Sequence, residues 1–538
     1  MEIAFGVLGG LGLFLYGMNV MGTGLQKVAG EKLKKLIEIL TNNRFMGVLV
    51  GAGVTAIIQS SSATTVMVVG FVNAGLMKLT QAIGVIMGAN IGTTITAQLI
   101  AFKLSDIAPI VIAIGVGIWL FSSKKKHKEI AEVLIGFGIL FIGMDFMKHA
   151  LKPLRTYQGF IDILTSLKNP ILGILVGFGL TVIVQSSSAS IGLLLALASQ
   201  GLITIDIALP ILFGDNIGTC TTALLSSIGA SKTAKRAAIM HLLFNVIGTI
   251  LFMVVLRYPI EKLVVYLSPN DIQRQIANAH TFFNITNVIV QLPFAGLIVA
   301  AAKKIIPGEV EEAVGLKYLD SRIIETPSIA VGQASKEVLR MGKMVQNNLR
   351  MSIESFINKD EKLTAKVFEE EKKINEMEKE ITGYLIKLSN APLTDEQHAK
   401  ITTLFNTIND LERVGDHADN LAELAQYSID NRCSFTDQAI EELKTMFDKT
   451  EKTFKEALWA FKTADIQTAK RVLEFERDID MLEKQYRASH IKRLNEQMCS
   501  PSSGIVFLDV ISNLERVADH SSNISLSVLD ALKDKKII

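Results

Sequence analysis

The sequence predicts an all-α chain: a polytopic membrane protein whose inverted-repeat core contains two re-entrant hairpins, followed by a cytosolic pair of three-helix bundles. Three observations predict it. A shift of 126 residues carries Gln59-Ser60-Ser61-Ser62 onto Gln185-Ser186-Ser187-Ser188 without a gap. The same shift carries Gly51 onto Gly177, Gly88 onto Gly214, and Asn90-Ile91-Gly92-Thr93 onto Asn216-Ile217-Gly218-Thr219. Apolar runs fill the chain to about residue 302, after which charged residues dominate and apolar residues recur at helical intervals. In that second half a shift of 103 carries Leu411-Glu412-Arg413-Val414-Gly415-Asp416-His417 onto Leu514-Glu515-Arg516-Val517-Ala518-Asp519-His520.

A chain of 538 residues exceeds one compact domain. Its mean hydropathy of +0.35 averages an apolar half with a charged one. The expected divisions are 1–125 (first membrane repeat), 126–304 (second repeat with two closing spans), 305–325 (linker) and 326–538 (cytosolic helical domain). A net charge of +2, without a basic face interleaved with aromatic residues, argues against nucleic acid as a partner. Cys220, Cys433 and Cys499 are widely spaced and show no metal-ligand pattern. No nucleophile–base pair and no phosphate-cradling Gly loop followed by Lys appears, so an enzyme is not expected.

Residues 3–25 are long enough to cross a hydrocarbon core of ~30 Å at ~1.5 Å per residue. The first lysine is Lys27 and residues 10–25 belong to the duplication, so this stretch reads as a retained helix rather than a cleaved signal. A basic amphipathic segment follows, with Lys27, Lys32, Lys34, Lys35 and Arg44. The arms flanking the serines, 45–59 and 63–77, reach only ~22 Å each, which suits a re-entrant hairpin. Residues 80–102 form an apolar run interrupted at 88–94, and 105–121 is a clean span. In the second copy 129–150 spans, 171–185 and 189–201 are hairpin arms, and 204–228 is interrupted at Asp215-Asn216-Ile217-Gly218-Thr219. Spans at 235–257 and 280–302 close the core.

Three crossings separate the first span from its copy, and a hairpin contributes an even number. The second copy is therefore upside down, the arrangement of many secondary transporters. Placing 26–44, Lys78, 124–128, Lys232, Lys235, Arg236, Lys303 and Lys304 on one side gathers the dense basic clusters there. That side is then cytoplasmic, with the N-terminus outside the cell (inner) membrane and the C-terminal half inside. A membrane bundle with no transport role is the plainer alternative.

Non-helical backbone survives at membrane depth only where it is buried or lines a cavity. The hydroxyls and amides of Gln59, Ser60, Ser61, Ser62, Gln185, Ser186, Ser187 and Ser188 can donate to an oxyanion, helped by the free N–H groups of a half-helix. Thr64, Asn90, Gly92 and Thr93, with Ser190, Asp215, Asn216, Gly218 and Thr219, offer hard oxygen donors suited to a small cation such as Na⁺. No Lys or Arg occurs between Asn169 and Ser231, and between Phe45 and Phe102 the one charge is Lys78. A buried charge costs at least ~2.5–3.5 kcal/mol at the midplane, so co-bound cations would offset an anion held there. This layout favours cation-coupled symport over a bare anion channel. Asp215 can also be read as a hydrogen-bonded structural Asp at a helix break, and Asn90 and Asn216 as helix caps.

Paired Gln-Ser-Ser-Ser blocks, each followed some thirty residues on by Asn-Ile-Gly-Thr, resemble the sodium-dependent phosphate cotransporter family that includes the animal type II carriers. The resemblance covers roughly residues 5–302. It implies Na⁺-coupled movement of inorganic phosphate, with both held where the two hairpins meet. It leaves open uptake against export, a related oxyanion, and a membrane-anchored sensor without flux. His241-Leu242-Leu243-Phe244-Asn245 and His280-Thr281-Phe282-Phe283-Asn284 resemble a His-x-x-Phe-Asn element of that family, for which a packing role of the histidines is expected.

The charged half reads as six helices near 328–358, 360–391, 395–428, 435–462, 465–496 and 503–533. Glu412, Asp416 and Asn420 share one helix face, as do Glu515, Asp519 and Asn523. Carboxylates one turn apart suit a divalent or trivalent metal with oxygen ligands. Asp410 and Asn406, opposite Asn513 and Asp509, suggest what the partner bundle adds. An Arg-Glu-Asp ion-pair network on a solvated face would use the same residues. The repeated Glu-x-x-x-Asp helices resemble a PhoU domain over about 325–535, which implies metal clusters on them. The implied partners are inorganic phosphate and the lipid bilayer, with assembly into homo-oligomers left open.

Overall fold

The computed structural model describes residues 2–38, 43–102, 104–308 and 316–537. Positions 309–315 of the expected linker lie outside them. The chain divides into two compact units, Met1–Ala313 and Val314–Ile538. No strand occurs among the described residues.

In the first unit α1 (Glu2–Glu38) runs from the apolar stretch into the basic segment as one helix. The first repeat continues with α2 (Arg44–Ile58), α3 (Ser61–Asn73), α4 (Leu79–Gly92), α5 (Thr94–Ile100) and α6 (Ala108–Phe121). The second comprises α7 (Lys125–Leu151), α8 (Gln158–Ser166), α9 (Pro170–Val184), α10 (Ser187–Ser199) and α11 (Ile205–Ser226). Then come α12 (Lys232–Leu251), α13 (Arg257–Leu267), α14 (Ile272–Gln291) and α15 (Ala295–Ile305). Seven helical stretches among the described residues are long and apolar enough to cross a membrane: Glu2–Ala29, Leu79–Ile100, Leu104–Phe121, Lys125–Thr156, Ile205–Ser226, Lys232–Leu267 and Ile272–Ile305.

Glycine spacing decides how the repeats meet. Helices α1 and α7 occupy equivalent places in the two repeats and pack antiparallel. Gly10 lies on Gly143 and Met147, Gly17 on Leu140 and Gly136, and Gly24 on Val133 and Glu129. A Cβ on Gly17 or Gly136 would strike the facing backbone, so only glycine allows this approach. Small residues serve the same purpose in membrane helix pairs generally, where apolar burial gives no drive to associate. Lys27 Nζ bonds Glu132 Oε2 at 2.7 Å and ties the same pair. Within each repeat, α2 lies parallel to α4 and α9 to α11, through Gly51 on Val85 and Gly177 on Ile211.

Two expectations are corrected here. The second-copy interruption at 215–219 is absent, because α11 runs unbroken through it. In the first copy the break shrinks to Thr93, which keeps right-handed helical angles. The polar side chains are satisfied by folding back on their own helices. Asn216 Nδ2 donates to Leu212 O at 2.9 Å, Thr219 Oγ1 to Asn216 O at 2.7 Å, and Asn90 Nδ2 to Ile86 O at 3.3 Å. Bonds of this kind leave the helical hydrogen bonds in place, so these side chains do not force the backbone to unwind. The sequence reading also lacks α8, a short amphipathic helix that bends 105° into α9.

The end of the unit is clamped. Arg236, buried on α12, donates from Nε to Ile306 O at 2.9 Å and from Nη2 to Gly308 O at 2.6 Å. The N-cap of α12 is tied to α3 by Ser231 N–H on Asn73 Oδ1, 2.8 Å.

The second unit is two three-helix bundles. The first holds α16 (Pro327–Asn358), α17 (Glu361–Ser389) and α18 (Asp395–Asp430). The second holds α19 (Asp437–Thr463), α20 (Ile466–Asn495) and α21 (Pro501–Ile537). Polar caps start these helices: Thr394 with Gln397 forms a capping box on α18, and Asp360, Thr436 and Asp465 cap α17, α19 and α20. Helices α18 and α21 pack together across the bundles.

Gly136→Val is expected to destabilise the membrane unit by about 1–3 kcal/mol, the usual cost of overpacking. Gly117→Ala, whose added Cβ meets nothing within 4 Å, is the control. Thermal unfolding of the detergent-purified chain measures both.

Candidate functional site

The two polar blocks fold identically. Helix α2 ends on Gln59 in the left-handed region (φ 61°) and α9 ends on Gln185 (φ 54°). These are costly angles for residues with a Cβ. Each is held by its backbone N–H on the carbonyl four residues back, Gln59 on Thr55 (2.7 Å) and Gln185 on Thr181 (2.8 Å). Their side chains complete the corner. Gln59 Nε2 donates to Ala56 O (2.5 Å) while its Oε1 accepts from Thr96 Oγ1 (2.9 Å). Gln185 repeats this with Val182 O (2.6 Å) and Thr222 Oγ1 (3.1 Å). Both glutamines are thus latched to a later helix of their own repeat, Gln59 to α5 and Gln185 to α11. Thr96 and Thr222, absent from the sequence reading, are related by the same shift of 126.

The serines then start a helix. Ser60 Oγ caps α3 by accepting from Ala63 N–H at 3.1 Å, and Ser186 Oγ caps α10 by accepting from Ala189 N–H at 3.3 Å. Ser61, Ser187 and Ser188 are buried, and Ser62 is half-buried. Ser61 Oγ has no hydrogen-bond partner, nor do Thr65 Oγ1 and Thr93 Oγ1. Helix α3 lies against α11 and α12, whereas α10 lies against α5, α7 and α14. Each serine-bearing helix therefore packs on the other repeat, α3 on α11 and α10 on α5.

The repeats differ at one buried pair. In the first, Thr55 Oγ1 donates to Thr64 Oγ1 at 2.9 Å, and Thr64 Oγ1 in turn donates to Ser60 O at 3.0 Å. In the second, the residue matching Ala89 is Asp215, whose Oδ1 accepts from Thr181 Oγ1 with Ser190 beside it. Asp215 is 2% exposed and its Oδ2 has no partner. Asn90 and Asn216 are buried with their amides turned onto their own helices. Gly92 and Gly218 are packing positions: a Cβ on either would meet Thr55 or Thr181.

In the second unit the acidic faces acquire partners from a neighbouring helix. Glu476 and Asp480 of α20 bring a carboxylate oxygen each within 4.8 Å of one from Asp519. Glu515 flanks them; its pKa is raised by burial first and by Asp519 next. The corresponding group in the first bundle comprises Glu371 on α17 with Glu412, Asp416 and Asp419 on α18. Burial, then Asp419, Asp416 and Glu412, push Glu371 up to about 7. Gly415 makes room for it, since a Cβ there would lie 3.0 Å from Glu371 Oε2. The sequence reading missed Glu371, Glu476 and Asp480; Glu476-x-x-x-Asp480 is the signal that marks the pair. Asn420 and Asn523 face the other bundle, donating to Asn513 Oδ1 (3.3 Å) and Asp410 Oδ1 (3.2 Å). His417 and His520 bond the same two acceptors at 2.8 and 3.0 Å. Arg413 and Arg516 pair with Asp416 and Asp519, so the ion pairs coexist with the acidic clusters.

Against known proteins, the family described as Na+/Pi-cotransporter matches residues 13–149 and 156–268, and the PhoU domain matches 338–425 and 443–528. The chain belongs to the Na+/Pi-cotransporter family and carries a PhoU domain. This is a family of phosphate transporters, and its matched region holds both hairpins and both Asn-Ile-Gly-Thr segments. Among relatives, YjbB of Salmonella typhimurium, whose name ascribes to it inorganic phosphate export, is 27% identical over 533 residues, 97% of each chain. YqeW of Bacillus subtilis is 32% identical over 297 residues, 55% of this chain and 96% of that one. Sodium-dependent phosphate transport protein 2B of Homo sapiens is 30% identical over 188 residues, 32% of this chain and 26% of that one.

The carboxyl of Glu371 lies above the usual range in the folded state, so the folded chain holds a proton there more tightly than the unfolded one. Its contribution to stability is therefore present at low pH and lost as pH rises from the ordinary carboxylate range through about 7. Glu371→Gln is expected to flatten that fall in thermal unfolding curves recorded in chelator between pH 5 and pH 8. An unchanged slope would assign the fall to other groups.

Proposed function

We propose that this chain moves inorganic phosphate together with Na⁺ across the cell membrane by alternate opening of an inverted-repeat core. The observation carrying this reading is the pair of identical left-handed breaks, each starting a serine-capped helix that lies against the other repeat. The N-termini of α3 and α10 offer backbone N–H groups and the hydroxyls of Ser60, Ser61, Ser62, Ser186, Ser187 and Ser188, donors that match phosphate oxygens. Gln59 and Gln185 hold those termini in place. No cationic side chain is needed in the same layer if Na⁺ accompanies the anion. Asp215 Oδ2, with Ser190 and Thr181 around it, is the strongest cation ligand of the second repeat. Thr64 with Asn90, Gly92 and Thr93, and Asn216 with Gly218 and Thr219, are the further Na⁺ candidates.

Antiparallel packing of α1 on α7 supports an inverted relation of the repeats, and arms of fifteen and thirteen residues support re-entrant hairpins. Opposed hairpins give two equivalent doors, which is what alternating access requires. The basic clusters support a cytoplasmic side for the second unit. There Glu476, Asp480, Glu515 and Asp519 in one bundle, and Glu371, Glu412 and Asp416 in the other, would hold a divalent or trivalent cation and gate the core in response. The set is all oxygen and partly buried, which fits a hard ion. Export is the second reading of direction, favoured by the named exporter that matches almost the whole chain.

Radiolabelled phosphate flux in proteoliposomes, under inward and outward gradients with Na⁺ or K⁺, tests the proposal. Flux in either direction that depends on Na⁺ is expected, while phosphate binding without flux would favour a sensor. Ser61→Ala and Ser187→Ala should each lower flux roughly tenfold or more, because a lost hydroxyl leaves a buried ligand oxygen unpaired. Asp215→Asn should raise the Na⁺ concentration for half-maximal flux and leave phosphate half-saturation at high Na⁺ nearly unchanged.

A further inference from the structure

The first bundle of the second unit holds a cleft that the transport reading does not use. Its volume is about 450 Å³, inside the range of roughly 300–1,000 Å³ usual for small-molecule sites. One wall is α17, and the other is the stretch by which the chain enters the second unit, from Leu316 to Ser321. That stretch is fastened in place. Glu337 accepts the backbone N–H of Lys317 at 3.2 Å and that of Tyr318 at 2.5 Å. Asp320 caps the 3₁₀ turn Ser321–Glu325 and takes Arg322 Nη1 at 2.7 Å, so its charge is already neutralised.

Lys379, Gly383 and Lys387 of α17 follow one another at intervals of four and share the helix face that lines the cleft. A Cβ on Gly383 would meet nothing within 4 Å, so the floor between the two lysines is open. Glycine weakens a helix interior, and no packing contact demands this one. Neither lysine is in an ion pair among the described residues, although Lys373 on the same helix pairs with Glu370. Next to Gly383, Tyr384 lines the cleft at 6% exposure, and its Oη has no hydrogen-bond partner. A buried tyrosine hydroxyl ordinarily has one. Burial first and Asp320 next push its pKa up, so it stays a donor. Glu380, Leu316 and Leu319 also line the space.

We infer that this cleft binds a nucleoside phosphate. The ammonium groups of Lys379 and Lys387, on flexible stems, converge over Gly383 on the phosphate oxygens, and Tyr384 Oη donates to one of them. Glu380 accepts from the ribose hydroxyls, the part an acidic residue takes in dinucleotide sites. Leu316 and Leu319 give the base an apolar surface. A bare phosphate would leave Glu380 and the leucines without a role. The ligand bridges the entering stretch and α17, and its binding is independent of the transport reading.

The test is calorimetric titration of the full chain in detergent with EDTA, so that no metal on the acidic helices takes up phosphate. The probes are ADP and UDP, a purine and a pyrimidine, with adenosine and inorganic phosphate for comparison. At least one of the two nucleotides is expected to bind, and adenosine about tenfold or more weakly than ADP if ADP is that one. Lys379→Gln and Lys387→Gln should each weaken the nucleotide by about tenfold, and Tyr384→Phe by about three- to tenfold. Gly383→Leu fills the floor and should abolish nucleotide binding, while the free chain melts no lower than wild type. Inorganic phosphate held by the membrane unit is recognised because these variants leave it unchanged. Binding of neither nucleotide, wild-type nucleotide affinity in Gly383→Leu or in both Lys variants, or adenosine equal to ADP would each overturn the inference. So would inorganic phosphate that matches the nucleotide and is lost in the same variants. If Gly383→Leu does not fold, the two Lys variants, whose side chains are exposed, decide by the same criteria.

Discussion

A chain that leaves the helix inside an apolar layer must find partners for the peptide groups it frees, and this requirement governs both hairpins. At each corner one glutamine meets it three ways: its N–H closes the preceding turn, its amide nitrogen takes a carbonyl of that turn, and its amide oxygen reaches a threonine on the next long helix. The serine that follows caps the next helix. The corner is then rigid and internally satisfied. The serine hydroxyls beyond the cap are left available.

Where the repeats depart from one another is as informative as where they agree. A hydroxyl pair in one, Thr55 with Thr64, is replaced in the other by a carboxylate, Asp215, taking the bond from Thr181. An internally symmetric carrier that placed a charge in both halves would carry two desolvation costs; this one carries a single buried carboxylate among the described residues of its two polar segments. The same economy of charge runs through α12 and α14, whose buried polar groups beyond Arg236, in the second turn of α12, are imidazoles, amides and the Thr249 hydroxyl.

Much of this was legible in the residues. Arms too short to span, a polar corner between them and the repeat of both placed the hairpin arms to within four residues at every end. Amphipathic spacing did the same for the six helices of the second unit. What escaped had local physical causes. Asn216 and Thr219 look like helix breakers, yet their side chains bond back to the helix and the break disappears. Glu371 and Glu476 are equivalent at a shift of 105 whereas Glu412 and Glu515 are equivalent at 103, so no single register aligns the two bundles. Glu476-x-x-x-Asp480 carries the four-residue spacing, but on a helix crowded with other charges that spacing is easily overlooked. The threonines that latch Gln59 and Gln185 are distant in sequence, and only the fold brings them close.

Alternating access in the proposed form requires two copies of one hairpin entering the bilayer from opposite faces. Side-specific labelling measures this directly: single cysteines at Lys78 and Lys168, both exposed beside their hairpins, in a chain with Cys220, Cys433 and Cys499 replaced. An impermeant maleimide should reach position 78 only in inside-out vesicles and position 168 only in right-side-out ones. Labelling of both positions from the same face would contradict the account.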